Sequence, residues 1–417
     1  MTRRSRLSAL TSVALAAALS CCTSNGPTST KGSALTTTAA SISRRATPTA
    51  AFTSTWRPRV PRPTVLLPGM PAPLSPTDVY AADRPGRLSA VARRARALVY
   101  VPNTMSNTLT VIDQKTRKII RTYPVGNEPQ HVVPSYDLRT LYVASDRGGI
   151  GTRPGPGSLT PVNPVTGRPG RAIAVTDPYN VYFTPDGTFG VVVAEARRRL
   201  EFYDPHTWKL RYLLAVPGCA GVDHIDFSAD GRTLLASCEF ADRVIAVDVA
   251  RRRLLRTITL PRRRDGMPQD VKLSPDGKVY YVADMMANGV YLIDADTWRV
   301  TGFLKTGRGA HGLYIDRTST RLFVTNRMGS SISVIDVRTR LVATTWHLPG
   351  HVSPDMGNLS ADGRLLWLSG RYSRSVYVID TANGHLLNTI PVGDGPHGLC
   401  VWPQPGRYSL GHTGILR

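Results

Sequence analysis

Acidic residues are scarce in this chain. Twenty-nine Asp and Glu stand against 52 Lys and Arg, which leaves a formal charge of +23 at pH 7. Aromatic residues make up only 7%. Five cysteines occur, at 21, 22, 219, 238 and 400, and no two have C-x-x-C spacing. So few cysteines exclude a disulfide-framework fold and a classical zinc module. Beyond residue 20 no apolar run reaches the ~18–20 residues of a spanning helix, so a polytopic helical membrane protein is excluded too. What the chain has in quantity is punctuation: 36 Gly and 32 Pro among 417 residues. That composition favours short strands and turns over long helices. With 41% hydrophobic residues, the length suffices for one large β-architecture or two ordinary domains.

The opening reads as an address. Arg3, Arg4 and Arg6 precede a short apolar run over 7–19, and Ser20-Cys21-Cys22 ends it. This is the layout of an export signal over 1–20. A small residue before a cysteine resembles the bacterial lipoprotein cleavage site, which implies a lipid on Cys21. Thr2-Arg3-Arg4 resembles a twin-arginine signal in part, so the export route stays open. Residues 21–60 are rich in Thr, Ser, Ala and Pro and cannot bury enough surface to offset ordering entropy, which predicts a disordered tether. A Pro- and Arg-rich lead-in follows over 61–96.

From about 97 the chain repeats itself every 41–50 residues, the range of propeller blades. One marker is an apolar strand ending in Asp, as at Asp113, Asp204, Asp248, Asp294, Asp336 and Asp380, with Asn163 in the remaining slot. A Thr often stands three residues later, which suits a tight hairpin held by side-chain bonds to the backbone. The second marker is a turn such as Ser274-Pro275-Asp276-Gly277, where Pro presets φ and Gly permits a positive φ. Each repeat therefore reads as four strands, A to D. Seven B–C–D units and seven A strands can be counted, but the first unit lacks an A strand and the last A strand lacks a unit. Together they would complete one blade and close a ring without a free edge. The prediction is an all-β, seven-bladed propeller of four-stranded antiparallel blades over 97–410, followed by a tail over 411–417.

Leu98-Val99-Tyr100-Val101-Pro102-Asn103, Leu322-Phe323-Val324-Thr325-Asn326 and the Val-Ile-Asp strands resemble the bacterial YVTN-type β-propeller repeat. The likeness covers about three-quarters of the chain. Segments such as Gly221-Val222-Asp223-His224 and Pro354-Asp355-Met356-Gly357 are similar to an exported surface and lipoprotein subgroup. The repeat family hosts surface proteins, binding modules, lactone hydrolases and metal-dependent oxidoreductases, so the resemblance implies a fold and not an activity.

Strand order brings the starts of A and the ends of B to one rim of the central channel. Before strand A stand Gln130, Tyr179, Asp223, Gln269, His311, Asp355 and His397; the next position holds His131, Asn180, His224, Asp270, Gly312, Met356 and Gly398. The ends of B carry Asn103, Asp146, Glu195, Glu239, Asp284, Asn326 and Arg371. Acids gathered on one rim of so basic a protein point to a binding pocket. The ligand-binding candidates are His131, Asn180, Asp223, His224, Glu195, Glu239, Asp270, Asp284, His311, Asp355 and His397. His131, His224, His311 and His397 are candidates for a divalent metal, since imidazole with carboxylate suits Zn, Cu, Mn or Fe. Alternatively, these groups satisfy backbone donors at strand starts, and Asp226 inside strand A reads as a partner between blades. Catalytic residues remain unassigned, although Glu195, Glu239 or Asp284 could serve a lactone hydrolase as a general base.

Cys219 and Cys238 fall near the same rim and are expected to form a disulfide in an oxidising compartment, while Cys400 reads as a small buried hydrophobe. Arginine triplets at 197–199, 251–253 and 262–264 would attract anionic lipid or wall polymer. Nucleic acid is not an expected partner, and a monomer is expected. The favoured reading is an exported, lipid-anchored binding or protein-interaction module at the cell envelope, with an unknown protein or small molecule as ligand. The rival is a channel-mouth enzyme, either a lactone-type hydrolase or a metal-dependent oxidoreductase.

Overall fold

Two turn types recur and set the strand lengths. Between strands A and B, Ser228 Oγ bonds Asp230 Oδ1 at 2.5 Å, and the Gly231 amide bonds the Ser228 carbonyl at 2.9 Å with φ +71°. Thr184, Ser274 and Ser360 open the same turn in their blades. Between C and D, the Asp294 carboxylate accepts bonds from the amide and hydroxyl of Thr297, both at 2.7 Å. Asp113 and Asp336 do the same to Thr116 and Thr339. The residue after the Thr then takes a left-handed conformation, as at Arg117, Trp298 and Arg340. Thus Asp at the end of C satisfies amides that a two-strand ladder would leave unpaired at its tip.

These turns build seven antiparallel sheets in the computed structural model, which describes residues 65–146, 156–261, 265–412 and 415–417. The inner strands of blades 2 to 7 are Pro129–Pro134, Pro178–Phe183, Val222–Phe227, Pro268–Leu273, Ala310–Ile315 and Pro354–Leu359. Blade 1 takes its inner strand, Cys400–Trp402, from the far end of the chain: Leu98 pairs with Trp402, Val99 with Val401 and Tyr100 with Cys400. The ring is therefore closed as the strand count predicts. Side chains close it as well, because Val99, Val101 and Ile112 pack in one cluster with Trp367, Val376 and Val378 of blade 7. Inner strands are buried throughout, while outer strands are largely open to solvent. Blade 2 departs from the four-strand pattern. Its outer strand is split into Arg168–Pro169 and Ile173–Thr176, where Pro169 has no amide to donate.

One local irregularity aims the channel side chains. In blades 2 to 7 the pairing of A with B slips by one residue at the start of A, as between Val222 and Ile225. Two residues, Asp223 and His224, then oppose Ser237 alone, and Ser237 Oγ takes the freed His224 amide at 3.0 Å. Such a bulge bends the strand and re-aims its side chains.

The opposite end of the channel is covered by the chain itself. The described part of the lead-in crosses the A–B turns, with bonds from the Leu67 amide to the Asp230 carbonyl and from the Val79 amide to the Pro275 carbonyl, both at 2.8 Å. Asp83 of this segment pairs with the buried Arg317. Residues after the closing strand return over the same end. The Phe183 amide bonds the Leu410 carbonyl at 2.9 Å, and Arg417 reaches Asp226 at 3.2 Å and the Phe227 carbonyl at 2.8 Å. Leu410, His412, Ile415, Leu416 and Arg417 are buried, so this part of the expected tail packs into the disc. Among the described residues no helix is long and apolar enough to cross a membrane. The export signal, the tether, Cys21 and the 262–264 arginine triplet lie outside the described residues.

Candidate functional site

Nearest the rim, the first residues of the bulges meet the residues that follow strand B. Asp223, Glu195 and Glu239 gather on one side, all buried. Gln269 Nε2 donates to Glu239 Oε1 at 3.0 Å. Burial, then the charges of Glu239 and Glu195, push the Asp223 carboxyl far above the usual carboxylate range. Burial also raises Glu239, against the bond from Gln269. Across the channel Arg327 Nε donates to Asp355 Oδ1 at 2.7 Å, and a second Arg327 nitrogen lies 2.6 Å from His311 Nε2. Arginine can only donate, so His311 carries its proton on Nδ1, 3.1 Å from Asp355 Oδ1 and 3.0 Å from Met356 Sδ. His397 meets Gln130 Oε1 at 3.1 Å through Nδ1. The mouth is thus divided into an acidic half and a half where arginine already neutralises the carboxylate.

One layer deeper, His131 and His224 come together with His412, which enters from the covered end. Ring centroids are 5.3 Å apart for 131–224, 5.0 Å for 131–412 and 4.7 Å for 224–412. Tyr182 Oη and Asn180 Nδ2 lie 3.3 and 3.4 Å from His224 Nδ1. His224 Nε2 lies 3.2 Å from Asp223 Oδ1. Burial first, and then nearby cations, holds His224 down to about 3. Burial likewise drives His131, His311, His397 and His412 well below the usual imidazole range. Five neutral imidazoles therefore line a closed channel at pH 7, in the form that binds metals or accepts protons. Gly398 makes room for one of them, because a Cβ there would collide with His131 Nδ1.

The residues 95–405 match the YNCE-like beta-propeller family profile. The chain belongs to that family. Its repeat resemblance and its closed ring agree with the assignment. Other likenesses of this YNCE-like propeller are partial or distant. Antigen Lp49 of Leptospira interrogans is 27% identical over 166 residues, 34% of this chain and 35% of that protein, so the match spans about a third of its relative. The periplasmic gluconolactonase of Pseudomonas aeruginosa is 19% identical with a TM-score of 0.61, over 74% of this chain and 99% of that one. A protein of unknown function from Desulfotomaculum acetoxidans is 15% identical with a TM-score of 0.60, over 74% and 99%. At such identities the structural likenesses speak for the fold alone.

In this YNCE-like propeller the sequence candidates divide into four sets. His131, Asn180, His224 and Asp223 converge in the deeper layer and just above it, whereas His311, Asp355 and His397 form a second group. Glu195 and Glu239 join the acidic half of the mouth. Asp270 and Asp284 bond backbone amides, and Asp270 Oδ2 also lies 4.0 Å from His412 Nε2. Asp270 accepts the Val271 amide at 2.9 Å and the Leu313 amide of the next blade at 2.9 Å. Asp226 bridges blades in the same way through the Leu273 amide at 2.7 Å. Asp284 caps a loop, taking the amides of Met267, Met286 and Ala287. Cys219 and Cys238 form a disulfide, and Cys400 is free and buried. Two residues of the site escaped the sequence reading. Arg327 stands one place beyond the aligned end of B, and His412 belongs to no repeat, so no periodic signal marks either.

Proposed function

We propose that this chain is an exported, lipid-anchored propeller that acts as a protein-interaction module at the cell envelope, docking its partner on the face formed by the B–C loops. One observation carries the reading. The second residue of the B–C loop is Met105, Phe240, Met286, Met328 and Tyr372 in five blades, and four of these are 75%, 42%, 50% and 69% exposed in the order 105, 240, 328, 372. Apolar groups repeated on one rim are costly in water unless a partner covers them. Met, aromatic and Arg side chains are also the types enriched at interfaces, and exposed Arg308 lies beside this collar, donating to the Met328 carbonyl at 2.9 Å. The opposite face is already occupied by the chain's own segments.

Export is supported by the basic-apolar-cysteine opening and by the disulfide, which suits an oxidising compartment. A lactone hydrolase would need an ionised base at the mouth, and burial works against ionisation of both Asp223 and Glu239. Placing a photo-crosslinking residue at 372 or 328 in producing cells, with position 341 on an outer strand as control, tests the reading. One discrete adduct from 372 and 328 that is missing from 341 is expected. Identical patterns from all three positions, or no adduct from the rim, would refute it.

A further inference from the structure

We propose that His131, His224 and His412 form a binding site for one divalent first-row transition ion, with the Asp223 carboxyl beside it as a further ligand that would give up its proton on binding. The site stands apart from the rim collar and does not depend on the docking reading.

Four observations lead there. One ligand atom from each of the three histidines can be chosen so that all lie within 4.8 Å of one another, and all three residues are fully buried. Both nitrogens of His131 and Oδ2 of Asp223 have no hydrogen-bond partner, while His224 Nε2 and Asp223 Oδ1 face each other at 3.2 Å. Folded proteins seldom bury unsatisfied polar atoms, and a fully buried imidazole with both nitrogens unpaired stands out among them. Orientation is already set: Asn180 Nδ2 can only donate, so His224 Nδ1 accepts and Nε2 carries the ring proton toward Asp223; binding an ion at Nε2 would move that proton to Nδ1, where Tyr182 Oη can accept it. Finally, the bare Gly398 leaves His131 the space its ring occupies.

The donor set decides the class of ion. Three imidazoles and a carboxylate suit Zn, Cu, Ni or Co better than Ca or Mg, which prefer all-oxygen shells. The nearest thiols are not available, since Cys219 and Cys238 are bonded to each other. The other group, His311, Asp355 and His397, is the weaker candidate. There Arg327 already sits on both Asp355 and His311 Nε2, so a second cation would meet a guanidinium.

The third ligand has a consequence for the fold. His412 lies in the segment that covers the far end of the channel, so the ion would tie that segment to the inner strands of blades 2 and 4. Metal binding and closure of the channel would then share their free energy.

The full mature chain, freed of metal by a chelator and its disulfide left intact, should bind one equivalent of Co2+ with visible d–d bands of a low-symmetry site. His412→Gln and His131→Gln should each weaken binding by more than the roughly 10–100-fold typical of losing an outer-shell partner. His385→Gln, on the exposed turn before the outer strand of blade 7, should leave it unchanged. Because a channel variant can lose its fold, Cu2+ on the unaltered chain supplies an independent readout, with nitrogen couplings from more than one imidazole in its electron spin resonance spectrum. No stoichiometric Co2+ on the folded chain would overturn the proposal. So would binding that survives His412→Gln and His131→Gln, or binding that His385→Gln abolishes.

Discussion

His311 shows how one buried side chain can make the whole disc sensitive to acid. Burial, followed by the Arg327 guanidinium, holds its imidazole well below the usual imidazole range. Its other neighbours offer no relief: Asp355 is already paired with Arg327, and His224, Arg371 and His131 all act in the same direction. The folded state therefore refuses a proton that the unfolded chain accepts near pH 6.5. A depressed imidazole contributes stability above that pH and loses it as pH falls through it. At pH 5.5 the difference amounts to about 1.4 kcal/mol for one such histidine. Urea midpoints of the unaltered chain and of His311→Gln, compared at pH 7.5 and 5.5, should show the gap shifting in favour of the variant by about that amount. An unchanged gap would mean that His311 is protonated in the fold. Asp355, raised by burial against Arg327, titrates with the opposite sign in both proteins and so largely cancels in the comparison.

Elements were more legible in the sequence than the site they carry. Asp-x-x-Thr and Pro-Asp-Gly work through bonds within four or five residues, so their spacing survives in one dimension. Asp294 and Thr297 could be placed in a turn before any coordinates existed. The bulge at the start of strand A could not, since it depends on how A registers against B, and Ser237 meets His224 only after pairing. Misalignment followed: Asp284 looked equivalent to Glu239, but it is the last residue of its strand B whereas Glu239 lies one place beyond its own, and its Oδ1 is taken up by loop amides. The disulfide acts on the same element. Cys219 lies in the loop entering the bulged strand of blade 4, and Cys238 ends the strand beside it, 19 residues later. Closing a loop of that length restricts the unfolded chain by about 3 kcal/mol. Replacing both cysteines with serine should lower the urea-unfolding free energy by roughly that much, and the loop before Asp223 should exchange its amide hydrogens faster. Loss of stability without faster exchange there would separate the bond from the geometry of the channel.

For the molecule as a whole, two stretches near the C-terminal end of the described chain do different jobs that can be tested apart. Residues 400–402 complete blade 1, and their loss exposes the edge of Leu98–Asn103 and unpacks Leu399 and Val401 from the cluster shared with blade 7. Residues 406–417 come after the ring is complete. They bring Arg417 to the buried Asp226 and fill the far end of the channel. A ring whose blades contact only their neighbours should survive the loss of a plug but not of a closing strand. Deleting 406–417 should therefore leave the strand content intact by circular dichroism and keep one cooperative unfolding transition. The cost should be about 3–5 kcal/mol, because Asp226 loses its buried guanidinium. Phe183, whose amide loses the Leu410 carbonyl, should exchange faster. Deleting 397–417 should abolish the single transition. If the two deletions unfold alike, the strand at 400–402 is not what holds the ring closed, and the stability of the disc resides in the plug instead.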